Sequence, residues 1–306
     1  MSTPIDLSRL PAPDVIEVID FEELLAERKA GTLALVPEDR RAEVAAALEL
    51  ESEPITIQLQ ESVYREIHLR QRINDAARAV MLAFALRGDL DQLAALLGVE
   101  RLEIVPEDPE TGTPAVMEED TDLRYRTQLA PQGFSVAGPE GAYRSHALAA
   151  HGSVLDASAT SPSPGEVLVS VLAREGDGKP NQEVIDAVDA ALRPDDVRPL
   201  TDKVTVGPAT IIGYGIDAMI YPFPGPDSSI VLTEARSRLD RYIADTRRIG
   251  RVVARSGIIA ALHVEGVERV DLSSPAADVA VTKTEAPYCT SVNVVVAPTP
   301  TANKRA

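Results

Sequence analysis

Through residues 21–98 the apolar positions of this chain recur every three or four residues, and beyond residue 150 they alternate or run in short blocks between turn residues. The first pattern belongs to helices that bury one face, the second to strands. Phe21, Leu24, Leu25 and Arg28 predict a helix over 21–30 that Gly31 stops. A second helix is expected over 38–51 after Pro37, closed by Glu53 and Pro54. The longest pattern, 61–86, sets Val63, Ile67, Arg70, Asn74, Ala77 and Met81 on one stripe, which Tyr64, His68, Ile73, Ala76 and Val80 widen. Gly88-Asp89 should break that run, leaving Leu90, Leu93, Leu96 and Leu97 on a short helix capped by Gly98. A stripe this wide suits helices packed within their own domain, and equally a bundle shared with partner chains.

Ahead of these helices, the prolines at 4, 11 and 13 predict an extended arm over residues 1–20 that docks on something or stays mobile. Behind them, PEDPETGTPAVMEE at 106–119 reads as a linker. Asp120-Thr121-Asp122 can cap a helix that Pro131 and Gly133 end, and Gly138-Pro139-Glu140-Gly141 leads into another over 142–151. Strands over 154–159 and 166–173 flank the hairpin signal Ser161-Pro162-Ser163-Pro164-Gly165. A helix capped by Asn181 and a strand through Val204 and Val206 complete a small α+β unit. A second follows: a strand over 211–221, helices over 232–243 and 258–264, and strands over 267–272 and 291–297. The expected fold class is therefore α+β: a helical N-terminal region over 1–105, the linker 106–119, and α+β domains with mixed or antiparallel sheets over 120–209 and 210–298. Residues 299–306 read as a disordered tail.

Charge sharpens this division. Residues 1–122 hold 27 acidic against 11 basic residues, whereas the other 184 hold 21 against 19. So acidic a chain is repelled by phosphate backbones, which argues against nucleic acid as a partner. Aromatic residues make up only 4%, too few for a large aromatic-lined ligand pocket. One cysteine, Cys289, excludes an internal disulfide framework. The most apolar stretch, 79–98, contains Arg87, Asp89 and Asp91, so a soluble chain without membrane contact is expected.

Motifs that carry chemistry are missing or misplaced. Gly213-Tyr214-Gly215-Ile216-Asp217-Ala218 has the spacing of a dinucleotide loop, but the alternation continues through it as a strand where a helix must begin. There is no P-loop, GxSxG or HExxH. His146 and His151 lie roughly 140° apart on a helix, too far round to share a metal. Catalytic, metal and cofactor residues are accordingly expected to be none. One charged feature stands out: Arg236, Arg238, Arg241, Arg247, Arg248, Arg251 and Arg255, seven arginines in twenty residues. They read either as a solvated face with local ion pairs or as a basic strip meeting an acidic neighbour.

Several separated blocks carry a resemblance: LDQLAALLGVERL from Leu90, DTDLRYR from Asp120, FSVAGPEGAYRSHA from Phe134, SPSPGEVLVSVLA from Ser161 and DDVRPLTDKVTV from Asp195, continuing through 234–272 to the apolar strand before Pro298. Together these resemble the baseplate J proteins of contractile phage tails and tail-derived R-type bacteriocins, over roughly two thirds of the chain. The resemblance implies no catalysis and no cofactor. It implies a structural subunit of the baseplate wedge that links hub and tube to sheath, dimerises, locks with a second wedge protein through a helical bundle, and closes with its copies into a six-fold ring. Assembly in the host cytoplasm, then residence in the particle, goes with that. By this analogy Val63, Ile67, Leu90, Leu93 and Leu97 are the candidate partner contacts on the helices, and Arg241, Arg248 and Arg251 those on the arginine strip. The residues alone leave open an oligomeric adaptor of another macromolecular assembly.

Overall fold

The computed structural model describes residues 5, 7, 10, 11, 13–195, 197–223 and 228–297. The residues read as a tail, 299–306, lie outside them. The chain divides into two compact units, residues 1–100 and 101–306.

The first unit is helical. Asp20 caps α1 (Phe21–Leu35) by accepting from the backbone N–H groups of Glu22 and Glu23. Gly31 does not stop this helix, as its position suggested; the chain stays helical to Leu35, and Pro37 follows. A 3₁₀ turn at Glu38–Arg40 leads into α2 (Arg41–Leu48). Pro54, expected to close a helix, instead opens α3 (Pro54–Ala79) at its first position, where the missing N–H costs nothing. The break after α3 also falls earlier than Gly88-Asp89: turns occupy the residues after Ala79, and α4 (Arg87–Ala95) already contains that pair. Leu24, Leu25 and Val63 form the core between α1 and α3, with Ile19, Phe21, Leu59 and Ile67 against it. The segment before α1 is docked in the same unit: buried Asn74 accepts from the Glu17 N–H (3.0 Å) and donates to the Glu17 carbonyl (2.9 Å).

The second unit begins with a correction. Residues 106–119, read as a linker, belong to a hairpin in which β1 (Glu103–Val105) pairs antiparallel with β2 (Val116–Met117), bridged again at Asp108 and Thr113. Pro106, Pro109 and Gly112 are turn residues, and a hairpin loop needs the same residue types as a linker. Gly152 packs against the β1 backbone so closely that an added Cβ would lie 2.1 Å from the Glu103 carbonyl oxygen.

Two lobes follow. In the first, α5 (Asp120–Gly133) and α6 (Glu140–Ala150) precede β3 (Val154–Thr160) and β4 (Glu166–Ala173); α7 (Gln182–Leu192) then leads to β5 (Lys203–Pro208). The sheet order is β3-β4-β5, antiparallel then parallel. Its core joins Ala157, Ala159, Val169 and Val171 to Tyr143, Ala147, Val184 and Val188 of the helices. Gly138 carries φ +71° at the turn into α6, and a side chain there would strike Pro199.

In the second lobe β6 (Thr210–Pro222) is central in the order β7-β6-β8. β7 (Val267–Ser274) pairs with it antiparallel and β8 (Glu285–Val296) parallel. Between β6 and β7 in the chain come α8 (Ser228–Thr246) and α9 (Arg255–Leu262). Tyr214, Ile216, Ala218 and Ile220 alternate inward from β6 onto Ala235, Leu239, Ile258 and Leu262. The dinucleotide-like glycines therefore sit within a strand. The whole is α+β with a helical N-terminal region and small mixed sheets.

Candidate partner interface

On α3 the predicted stripe divides into two faces. Val63 has no exposed surface and Ile67 is partly buried, both against the α1 core, so both serve contacts inside the unit. Leu90 is likewise fully buried, and Leu93 and Leu97 are half-buried. Exposed apolar residues on one side are Ile55, Leu69 (67% exposed), Ile73 (63%) and, just past the helix end, Val80 (70%), while Ile57 and Tyr64 are exposed on another side. Steps of 14, 4 and 7 residues bring the first four within about 40° of one another at 100° per residue. Arg65 and Arg72 flank this face on the side away from the core; both are exposed, and Arg65 pairs with Glu61. Sequence reasoning had Ile73 and Val80 on the stripe but missed Leu69, because the stripe was centred on Val63.

Near the other edge of the helix, Glu66 accepts from Arg28 and from Arg70 (3.0 and 2.8 Å), while Arg70 reaches on to Glu17 (3.0 Å). The Arg28 bond first, then that of Arg70, holds the Glu66 carboxyl below the usual carboxylate range. This cluster ties α1 and the segment before it to α3.

The arginine strip is divided in the same way. Arg236 donates to the Val294 carbonyl (2.9 Å), Arg247 to that of Gly176 (2.9 Å), and Arg255 to those of Leu272 and Pro275. Each of these caps a carbonyl at a sheet edge or turn. Arg248 is drawn inward to the Asp122 carboxylate (3.3 Å) and the Leu155 carbonyl (3.4 Å), so the side chain expected to meet a partner already has one. Arg241 and Arg251 are exposed and form no salt bridge among the described residues.

Between the lobes lies an open cleft of about 530 Å³, lined by Asp122, Leu155, Arg174, Ile243, Arg247 and Arg248 among others. Asp122, in the first turn of α5, binds Arg174 of the first lobe as well as Arg248 of the second. Asp156, 1% exposed, accepts from Arg144 (2.6 Å) and from the Ile249 backbone N–H (2.9 Å). Burial opposes the charge of Arg144, yet Asp156 and the Tyr125 hydroxyl beside it raise its pKa above the ordinary value.

Groups with chemical potential are quiet. Burial pushes the Cys289 thiol up and so keeps it protonated. Burial, then the hydrogen bond to Asp202 (2.7 Å), raises the Tyr143 hydroxyl. His146 Nε2 contacts the Gly133 carbonyl, and His151 Nδ1 accepts from the Ser153 N–H. Among the described residues no group of three or more His, Cys, Asp or Glu side chains could hold a metal ion. No described helix is long and apolar enough to cross a membrane.

Fold and surfaces together define a multi-lobed α+β protein whose buried charges are spent on one another and whose open features are an apolar helix face and free arginines. Three consecutive matches say which such protein it resembles: the Baseplate J-like N-terminal domain over residues 51–108, the central domain over 135–208 and the C-terminal domain over 214–295. The chain is also 50% identical over 293 residues to baseplate protein J of Escherichia phage P2, covering 95% of this chain and 97% of that protein. The chain belongs to the baseplate J family.

Proposed function

We propose that this chain is a structural subunit of the baseplate wedge of a contractile tail or R-type bacteriocin, and that it works by contact and not by catalysis. The observation that carries this is the full-length likeness to phage P2 baseplate protein J, with family matches running from residue 51 to residue 295. In this reading the chain assembles in the host cytoplasm, dimerises, binds a second wedge protein and closes with its copies into a six-fold ring linking hub to sheath.

The residues offered to the helical partner are those the fold leaves in the open. The Leu69, Ile73 and Val80 patch of α3 is apolar and flanked by arginines, as a helix entering a bundle requires, and Ile55 lies on the same side beyond Ser62 and Glu66. Arg241 and Arg251 are the corresponding free cations on the second unit, suited to an acidic neighbour. Leu93 and Leu97 keep a share in the same contact because both are half-exposed.

Co-expression with the neighbouring baseplate proteins, followed by size-exclusion chromatography and electron microscopy, tests the reading. The wild-type chain is expected to co-purify in a complex. The double variant Leu69→Asp, Ile73→Asp should keep its circular dichroism spectrum and lose that complex, since two charges would enter a desolvated helix face. A wild-type chain that stays monomeric with every neighbour, or a double variant that assembles normally, overturns the proposal.

A further inference from the structure

The first sheet is buried on both sides, and the two sides differ in kind. Ala157, Ala159, Val169 and Val171 face the helices, whereas their neighbours Asp156, Ser158, Ser170 and Leu172, pointing the other way along the pleat, are also 9% exposed or less. Asp156 takes the Ile249 N–H, and Ser158 donates to the Lys283 carbonyl, so the second lobe covers this side. Asp122–Arg248, Arg247 to the Gly176 carbonyl and Lys283–Glu140 (3.0 Å) add to the seam. The lobes keep separate hydrophobic clusters, and the backbone crosses between them once, through Ala209 alone between β5 and β6. At that crossing the contact is apolar, with Leu172 and Ile211 both packed beside Gly178.

We infer that the second unit is a latched joint: the lobes turn about the crossing at Ala209 as rigid bodies, and the Asp122–Arg248 and Asp156–Ile249 contacts hold the closed arrangement. Separate cores permit the lobes to part without unfolding, and hinges are commonly a few residues at the ends of elements. A seam of ion pairs and hydrogen bonds is also cheaper to open than an apolar one, because water replaces its partners. Asp122 and Arg248 keep 18% and 30% of their side-chain surface in solvent, so salt reaches that pair.

The latch is a property of the single chain, and its test needs no baseplate partner. Native-state hydrogen exchange on the full chain reads it at the Ile249 amide, with sheet amides of β4 and β6 reporting the two cores. Raising NaCl from about 0.1 M to about 1 M shortens screening from about 10 Å to about 3 Å and should speed Ile249 exchange about tenfold while the sheet amides hold their rates. Arg248→Gln should give the same acceleration at low salt. In a Cys289→Ser background, dyes at Ser163→Cys and Glu268→Cys should report a changed inter-lobe distance under the same conditions. Should Arg248→Gln fail to fold, the salt titration of the wild-type chain decides. Ile249 exchange that always tracks the sheet amides overturns the latch; faster exchange at an unchanged dye distance overturns the joint. Either failure leaves the baseplate reading untouched.

Discussion

Glu118 has no exposed side-chain surface; it pairs with Arg126, takes the Leu102 N–H, and leaves its oxygen Oε1 without a partner. The pair fastens the β1–β2 hairpin to α5. Removing the cation would strand a buried carboxylate, so Arg126→Ala should destabilise the second unit by about 3–5 kcal/mol in urea unfolding. Gly152→Ala should also cost about 1–3 kcal/mol, because its Cβ would press on the Glu103 carbonyl and backbone yields little. Neither effect was legible in the sequence. Glu118 stands in an acidic run, and its partner is recognisable only once the hairpin folds back on α5. Arg248 teaches the same lesson over a longer reach: its nearest carboxylate in sequence is Asp245, whereas the one it binds is 126 residues away.

At the scale of elements, periodicity located α6, α7, β3, β4 and β6 because each has a strong pattern bounded by turn residues, and it found α3 with both ends placed too far along the chain. It could not say which part of a wide stripe faces inward. That choice depends on where α1 packs, and α1 settles on Val63 and Ile67, leaving Leu69, Ile73 and Val80 outside. The attachment of α1 is itself charge-dependent. Glu66 has its pKa lowered in the folded state by Arg28 and Arg70, so its contribution to stability is complete above the ordinary glutamate value of about 4.3 and is lost as the pH falls through the lowered one. An acid titration of ellipticity should therefore show helical stability falling below about pH 4.3 in the wild-type chain, and a smaller fall for Glu66→Gln. A hairpin loop and a linker were indistinguishable for a similar reason: Pro, Gly and Thr serve both, and pairing over Glu103–Val105 is decided by long-range contacts.

For the whole molecule, the composition already argued for contacts over chemistry, and the blocks of resemblance pointed to the baseplate J family that the full-length match shows. What no local pattern revealed was the use of the second face of the first sheet. Alternation predicts one buried face, and nothing near Asp156 and Ser158 in the sequence marks the second lobe that covers them. Their burial yields a prediction at this scale: Asp156→Ala should lower the thermal midpoint of the second unit by more than Asp122→Asn does. The first leaves Arg144 charged and without its carboxylate, whereas the second keeps most of its partners in reach of water. Differential scanning calorimetry of the two variants would compare them directly.

The crossing at Ala209 bears on how such proteins can exchange parts. Recombination between relatives that cuts between the central match, ending at 208, and the C-terminal match, starting at 214, would fall just where the backbone passes from one lobe to the other. A transplant of residues 135–208 alone would bring Arg174 but leave Asp122 behind, so the incoming sheet would depend on a carboxylate supplied by the recipient's α5. A viable chimaera must therefore inherit α5 together with the sheet it precedes. The unit of inheritance is set by the core and the ion pairs that α5 shares with that sheet, and it is larger than the stretch matched by the central domain.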